Sequence, residues 1–181
     1  TNKTTVLFGG LVHGTGLLEK EKASEPDSLI LQGGDAVSGI TWLHFSGEPE
    51  FSALAAAGVQ VMLLGNHEFN YGPEHLKRGL SFSSIPVLSS NLTFDDWELA
   101  ERVSRHVILK SGDTSVGVFG LTSPNLSAQA SPGPRVHIDR NLEDVSAKMI
   151  RELREKGAED IIALSRLTRE DNVHLASSVE G

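Results

Sequence analysis

This chain has no cysteine. Disulfide bridges, a thiolate zinc site and a cysteine nucleophile are therefore excluded, while the choice of compartment stays open. Positive charge is also scarce. Against 24 Asp+Glu there are 16 Lys+Arg, giving a net charge of −8 and a pI near 5.3, so a broad basic surface for nucleic acid is not expected. No apolar run approaches the roughly 20 residues that cross a bilayer, and no signal-peptide pattern is visible. The chain has no Gly-x-x-x-x-Gly-Lys loop, no Gly-x-Ser-x-Gly elbow and no His-Glu-x-x-His, which withdraws support from those enzyme classes. Internal repeats and a clear domain boundary are missing too. What remains is 181 residues, 39% hydrophobic and 22% charged, a size and composition that suit one folded domain rather than a disordered chain. Asn-x-Ser/Thr triplets occur at Asn2, Asn91 and Asn125. They would accept glycans only in a secretory pathway, and chance alone supplies about one of them.

The most informative stretch is Gly65-Asn66-His67-Glu68-Phe69. It follows the apolar run Val59-Gln60-Val61-Met62-Leu63-Leu64, which reads as an interior strand. Polar groups at the C-terminal end of such a strand sit at the mouth of an α/β sheet, where ligands bind. An Asn oxygen can ligate a metal, and a neighbouring His can donate a proton or bind phosphate. A polar turn closing a strand would explain this motif if it stood alone. It does not stand alone. Leu29-Ile30-Leu31-Gln32 runs into Gly33-Gly34-Asp35, Thr5-Val6-Leu7-Phe8 into a glycine loop ending Val12-His13-Gly14, and Ile161-Ile162-Ala163-Leu164 into Ser165-Arg166. Apolar strands each ending in a polar tip point to one shared site.

These blocks resemble the calcineurin-like metallophosphoesterases, and within them the 5′-nucleotidase family. The matching segments, in order, are 8–14, Gly33-Gly34-Asp35, Gly65 to Phe69, 86–91, 117–122 and 160–167, which together span nearly the whole chain. The resemblance implies two divalent metal ions that polarise a phosphate monoester of a nucleotide and activate a water. It assigns His13 to the first metal, Asp35 to the bridge between the two and Asn66 to the second. His67 becomes the catalytic group at the phosphate or leaving group.

Several positions depart from the family pattern. Its first motif is Asp-x-His, and here Leu11 stands where the Asp belongs. The fourth motif supplies a His that binds the second metal, and Arg166 occupies that place. An Asp usually orients the catalytic His; here it is Asn70. The chain stops before the family's Gly-His-x-His motif. Of the ligands the family uses, His13, Asp35 and Asn66 remain, so none or one metal is expected rather than two. A guanidinium is always charged and cannot ligate a cation. Arg166 is thus expected to repel a second metal, and three fates are open to it: pairing with Asp35, attracting a phosphate, or swinging into solvent.

Element by element, we expect strands at 4–9, 28–32, 59–64, 86–88 and 160–164. Helices are expected at 16–23, from Pro49 to Ala57, from Pro73 to about Leu80, from Asn141 to Lys156, and after the last strand to about Val179. Segments 103–109 and 115–121 read as an antiparallel pair around Ser111-Gly112-Asp113, and 123–134 as a connection. Asn141 is placed to cap a helix with Leu142, Val145, Met149, Ile150 and Leu153 on one face. His44, His75, His106, His137 and His174 match no family ligand and read as surface or interface histidines. Trp42 and Phe45 read as core packing, and 152–156 as a solvated charged face.

The fold class is α/β, which the resemblance sharpens to a layered β-sandwich flanked by helices. The chain would hold the first half to two-thirds of that domain, without the family's C-terminal nucleotide-binding domain. The expected function is that of a 5′-nucleotidase-like phosphoric ester hydrolase in nucleotide catabolism, inactive or nearly so as this chain. The alternative is a non-catalytic binding or structural module of an extracellular assembly. Expected partners are a nucleotide or phosphate ester, and a missing C-terminal segment or a second copy that covers the open sandwich. The resemblance places the protein in the periplasm or outside the cell.

Overall fold

The computed structural model describes residues 10–181, so the strand expected at 4–9 lies outside them. The chain opens with α1 (Leu11–Ser24), then β1 (Leu31–Gln32), α2 (Gly39–Phe45), α3 (Glu48–Ala56) and β2 (Val61–Leu63). A 3₁₀ turn at His67–Phe69 leads to α4 (Pro73–Leu80), β3 (Val87–Leu88), β4 (Leu92–Phe94), α5 (Trp97–Arg102) and β5 (Val103–Ser104). The second half holds β6 (His106–Ser111), β7 (Thr114–Leu121), α6 (Leu126–Gln129), β8 (Val136–Ile138), α7 (Leu142–Glu155), β9 (Asp160–Ser165) and α8 (Arg169–Ser178).

A parallel sheet in the order β1-β2-β3-β5 faces a second sheet, β6-β7-β9, in which β7 pairs antiparallel with β6 and parallel with β9. The antiparallel pair β4-β8 stands beside them. Side chains alternate between layers, as a strand's period of two requires. On β7, Val116 and Val118 join Val61 and Leu88 between the sheets, while Phe119 and Leu121 pack under α7 with Val145, Met149 and Leu153. Met62 and Leu64 face the other way, into a core with Trp42, Phe51, Phe69 and Leu76. The fold is the expected layered sandwich with helices outside. Each fully buried Leu, Val or Met side chain in it contributes about 1.5–3 kcal/mol.

Local signals placed several elements well. α4 begins at Pro73, Asn141 Oδ1 accepts the Asp144 N–H at the start of α7, and Gly157 (φ +86°) follows the end of that helix. Other expectations need correcting. α1 starts at Leu11 instead of 16, because Leu18 packs against the core beside α3, outweighing the roughly 1 kcal/mol that each helical glycine costs. Pro49 occupies the second position of α3, after Glu48. Val103 and Ser104 belong to the parallel sheet, not to the hairpin with β7. The connection 123–134 contains α6, and the sequence reading missed α2, β4, α5 and β8 altogether. His75 is half-buried, with its ring edge-on to Trp42 at 4.5 Å and its Nε2 2.7 Å from the Trp42 carbonyl. Phe45 is exposed, so Trp42 packs with Phe51 and His75 instead.

Candidate functional site

The C-terminal ends of β1, β2, β3, β7 and β9 carry polar loops that are hydrogen-bonded to one another. After β1, the Gln32 side chain clamps its own loop, accepting the Gly34 N–H (2.7 Å) and donating to the Gly34 carbonyl (2.9 Å). Asp35 then adopts a left-handed backbone (φ +56°), an unusual conformation for a non-glycine residue. This turn drives Asp35 into the loop after β2, where Gly65 makes room for it. A Cβ on Gly65 would lie 2.2 Å from Asp35 Oδ1 and 2.5 Å from the Asp35 nitrogen.

Two carboxylates tie these loops. Asp35 Oδ1 accepts the backbone N–H groups of Asn66 (2.9 Å) and His67 (3.1 Å). In return, fully buried Glu68 accepts the N–H groups of Gly65 (2.8 Å), Ala36 (2.6 Å) and Asp35 (3.2 Å). Burial pushes the Glu68 carboxyl up to about 7, the Asp35 charge adds to the rise, and the backbone donors oppose it. Glu68 lies within the Gly65–Phe69 motif, where the family resemblance assigns it no role. Its signal was a carboxylate just past an interior strand, where a buried charge needs donors.

The tip after β3 is fixed to the end of β7. Buried Asn91 accepts the Thr122 N–H (2.9 Å) and donates to the Thr122 carbonyl (2.9 Å), while Thr122 Oγ1 donates to the Leu64 carbonyl (2.8 Å). β9 completes the arrangement. The Arg166 N–H donates to the Leu121 carbonyl (2.9 Å), continuing the β7-β9 ladder. This register delivers the Arg166 side chain to Asp35, with Nε donating to Oδ2 at 2.5 Å and Nη2 paired to the same oxygen.

The structure thus gathers Asp35, Asn66, His67, Asn70 and Arg166. Asn70 Nδ2 lies 2.9 Å from His67 Nδ1. With the amide donating to Nδ1, the proton of the neutral ring sits on Nε2. An aspartate there would instead accept from Nδ1–H and support an imidazolium. Beside this group lies a polar cleft of about 260 Å³ lined by Asn66, Ser123, Asn125, Gln129, Arg166 and Thr168. A larger, mainly apolar cavity of about 380 Å³ lies between α7, β9 and α8, away from the loop carboxylates. We take the polar cleft as the candidate site because Asn66 and Arg166 of the gathered residues line it.

His13 is exposed in the first turn of α1, and no hydrogen bond or ion pair among the described residues joins it to Asp35. Leu11, which opens α1, is of a residue type without a metal-ligating atom.

Parallel strand ends converging on an Asp, an Asn-His pair and a polar cleft define an α/β protein with its candidate site at the strand tips. The calcineurin-like phosphoesterase family matches residues 11–177, and the chain belongs to that family. Among curated relatives it is 28% identical over 177 residues to a probable 5′-nucleotidase of Treponema pallidum, covering 96% of this chain and 29% of that protein. It is 29% identical to the NAD 5′-nucleotidase of Haemophilus influenzae, covering 98% of this chain and 30% of that protein. In three dimensions it matches the 5′-nucleotidase precursor of Thermus thermophilus with a TM-score of 0.87 at 28% identity, over 93% of this chain and 33% of that one. The chain therefore spans about a third of the length of the relatives it matches.

Calcineurin-like phosphoesterases use divalent metals, and the donors among the described residues do not by themselves make up a two-metal centre. Among the described residues no group of three or more His, Cys, Asp or Glu is placed to hold an ion. The two Asp35 oxygens are engaged by backbone N–H groups and by a guanidinium.

Proposed function

We propose that this chain corresponds to the first portion of a phosphate-monoester hydrolase domain of the 5′-nucleotidase type. By itself it turns over nucleotide monophosphates slowly or not at all. The observation that carries this reading is the ion pair between Arg166 and Asp35: a fixed organic cation sits where the family resemblance calls for a metal ligand. The Asn70 amide on His67 supports it further, because an uncharged amide stands where the family resemblance calls for a carboxylate to orient the imidazole. Asn66, Arg166 and the Ser123, Asn125 and Thr168 side of the cleft offer polar groups to a phosphate ester, with the Asp171 carboxylate on the same lining.

The relatives include a snake venom 5′-nucleotidase of Gloydius brevicauda, 27% identical over 180 residues. That likeness supports a site of action outside the cytoplasm. No helix of the described residues is long and apolar enough to cross a membrane.

The test is hydrolysis of AMP by the purified chain with Mg²⁺, Mn²⁺ or Zn²⁺. Turnover at background level is expected. A metal-dependent rate near the ~10 per second usual for enzymes, abolished by His67→Ala, would overturn the proposal.

A further inference from the structure

We infer that the Arg166 guanidinium takes the place of a bound cation at Asp35, so that the loop cluster of this chain is held together without divalent metal. The inference shares the Arg166 observation with the proposed function but concerns what stabilises the site, and its test does not read activity.

Asp35 brings negative charge to a crowded position. Its backbone is left-handed, its N–H is held by Glu68, and its Oδ1 accepts two further backbone donors. The second oxygen, Oδ2, therefore needs a cation or water, and a second carboxylate, that of Glu68, stands nearby. Among the described residues, Arg166 is the cation that pairs with Asp35. It arrives from 131 residues away in sequence, through the β7-β9 register. The fork of Nε and Nη2 on one oxygen is a directional, charge-assisted contact. It links β9 to the β1 and β2 loops as a bridging ion would.

The geometry also opposes the metal. A divalent ion beside Asp35 and Asn66 would face a positive charge that does not titrate away at any working pH. Arginine cannot be converted into a ligand. Asp35 keeps 15% of its side-chain surface exposed and Arg166 46%, so solvent screens the pair and its strength is moderate.

The experiment combines two measurements on the whole chain. The first is thermal unfolding in EDTA and in millimolar Mn²⁺ or Zn²⁺, with bound metal read by elemental analysis. The melting temperature should not change, and no stoichiometric metal should copurify. A site filled at a hundred times its dissociation constant would instead raise the melting temperature by roughly 5–10 °C, and that rise, or one or more ions bound per chain, would overturn the inference.

The second is a double-mutant cycle of Arg166→Gln and Asp35→Asn, in which the asparagine retains an acceptor for the Asn66 and His67 N–H groups. Each single change should lower the melting temperature by a few degrees, and the double variant by clearly less than the sum. Additive effects would overturn the inference. Should Arg166→Gln fail to fold, Arg166→Met replaces it in the cycle, since it keeps an aliphatic stem and removes the charge.

The outcomes separate this inference from the proposed function. Slow AMP turnover with an additive cycle would overturn the internal-cation inference alone. Metal-dependent turnover with a coupled cycle and a metal-insensitive melt would overturn the proposed function alone.

Discussion

Replacing Glu68 by Gln perturbs the buried carboxyl on which both site loops hang. The wild-type group accepts N–H donors from Gly65, Ala36 and Asp35, and burial raises its pKa from 4.5 to about 7. Because the folded value lies above the unfolded one, its contribution to stability is complete below pH 4.5 and is lost as pH rises through about 7. A shift of that size corresponds to roughly 3 kcal/mol. Glutamine cannot titrate, so the variant should lack this pH dependence. It also has a single acceptor oxygen and turns an NH₂ toward a backbone donor. One buried N–H left unpaired costs about 1–3 kcal/mol. Glu68→Gln should therefore be less stable than wild type near pH 5, with the gap narrowing or reversing by about pH 8. Urea unfolding across that range measures it, with the slope m held common if both proteins unfold in two states. Every other titrating group is shared, so the difference between the two proteins reports Glu68 together with its coupling to Asp35. A difference that stays constant from pH 5 to pH 8 would refute the reasoning.

Gly65→Ala should separate the two loops, since its Cβ would fall 2.2 Å from Asp35 Oδ1. A loss of about 1–3 kcal/mol is expected by analogy with overpacked sites, and an unchanged urea midpoint would show that the loops do not touch as described. Asn91→Ala leaves the buried Thr122 N–H and carbonyl without their side-chain partner. It should cost about 2–4 kcal/mol, from the desolvated groups left behind, and show lost hydrogen-exchange protection at Thr122. Retained protection there would count against that assignment.

Particular residues show how far the sequence alone could be read. Pro73 and Asn141 marked helix starts because a cap acts within a few residues of itself. The glycines flanking Asp35 and Asn66 marked the strand tips. The resemblance placed those tips in one family, and the family match over 11–177 agrees with it. α2, β4, α5 and β8 were not legible. They are short, and β4-β8 pairs residues such as Leu92 and Ile138 that are far apart in the chain. α1 was misplaced at its start because its helicity rests on packing against the core and α3, not on its glycine-containing first turns.

By itself the sequence determined which chemical groups stand at the family's motif positions: Leu at 11, Asp at 35, Asn at 66 and 70, and Arg at 166. Residue type alone settles that leucine and arginine do not ligate a metal. Only the tertiary structure decided where Arg166 points. An exposed arginine has many rotamers and no local preference among solvent, phosphate and carboxylate. The β7-β9 register carries it to Asp35, whose free oxygen faces it because the left-handed turn and two backbone donors fix the other. The same convergence buried Glu68 among backbone donors. Those contacts join distant segments, and their energies arise only once the sheets have brought the loops together.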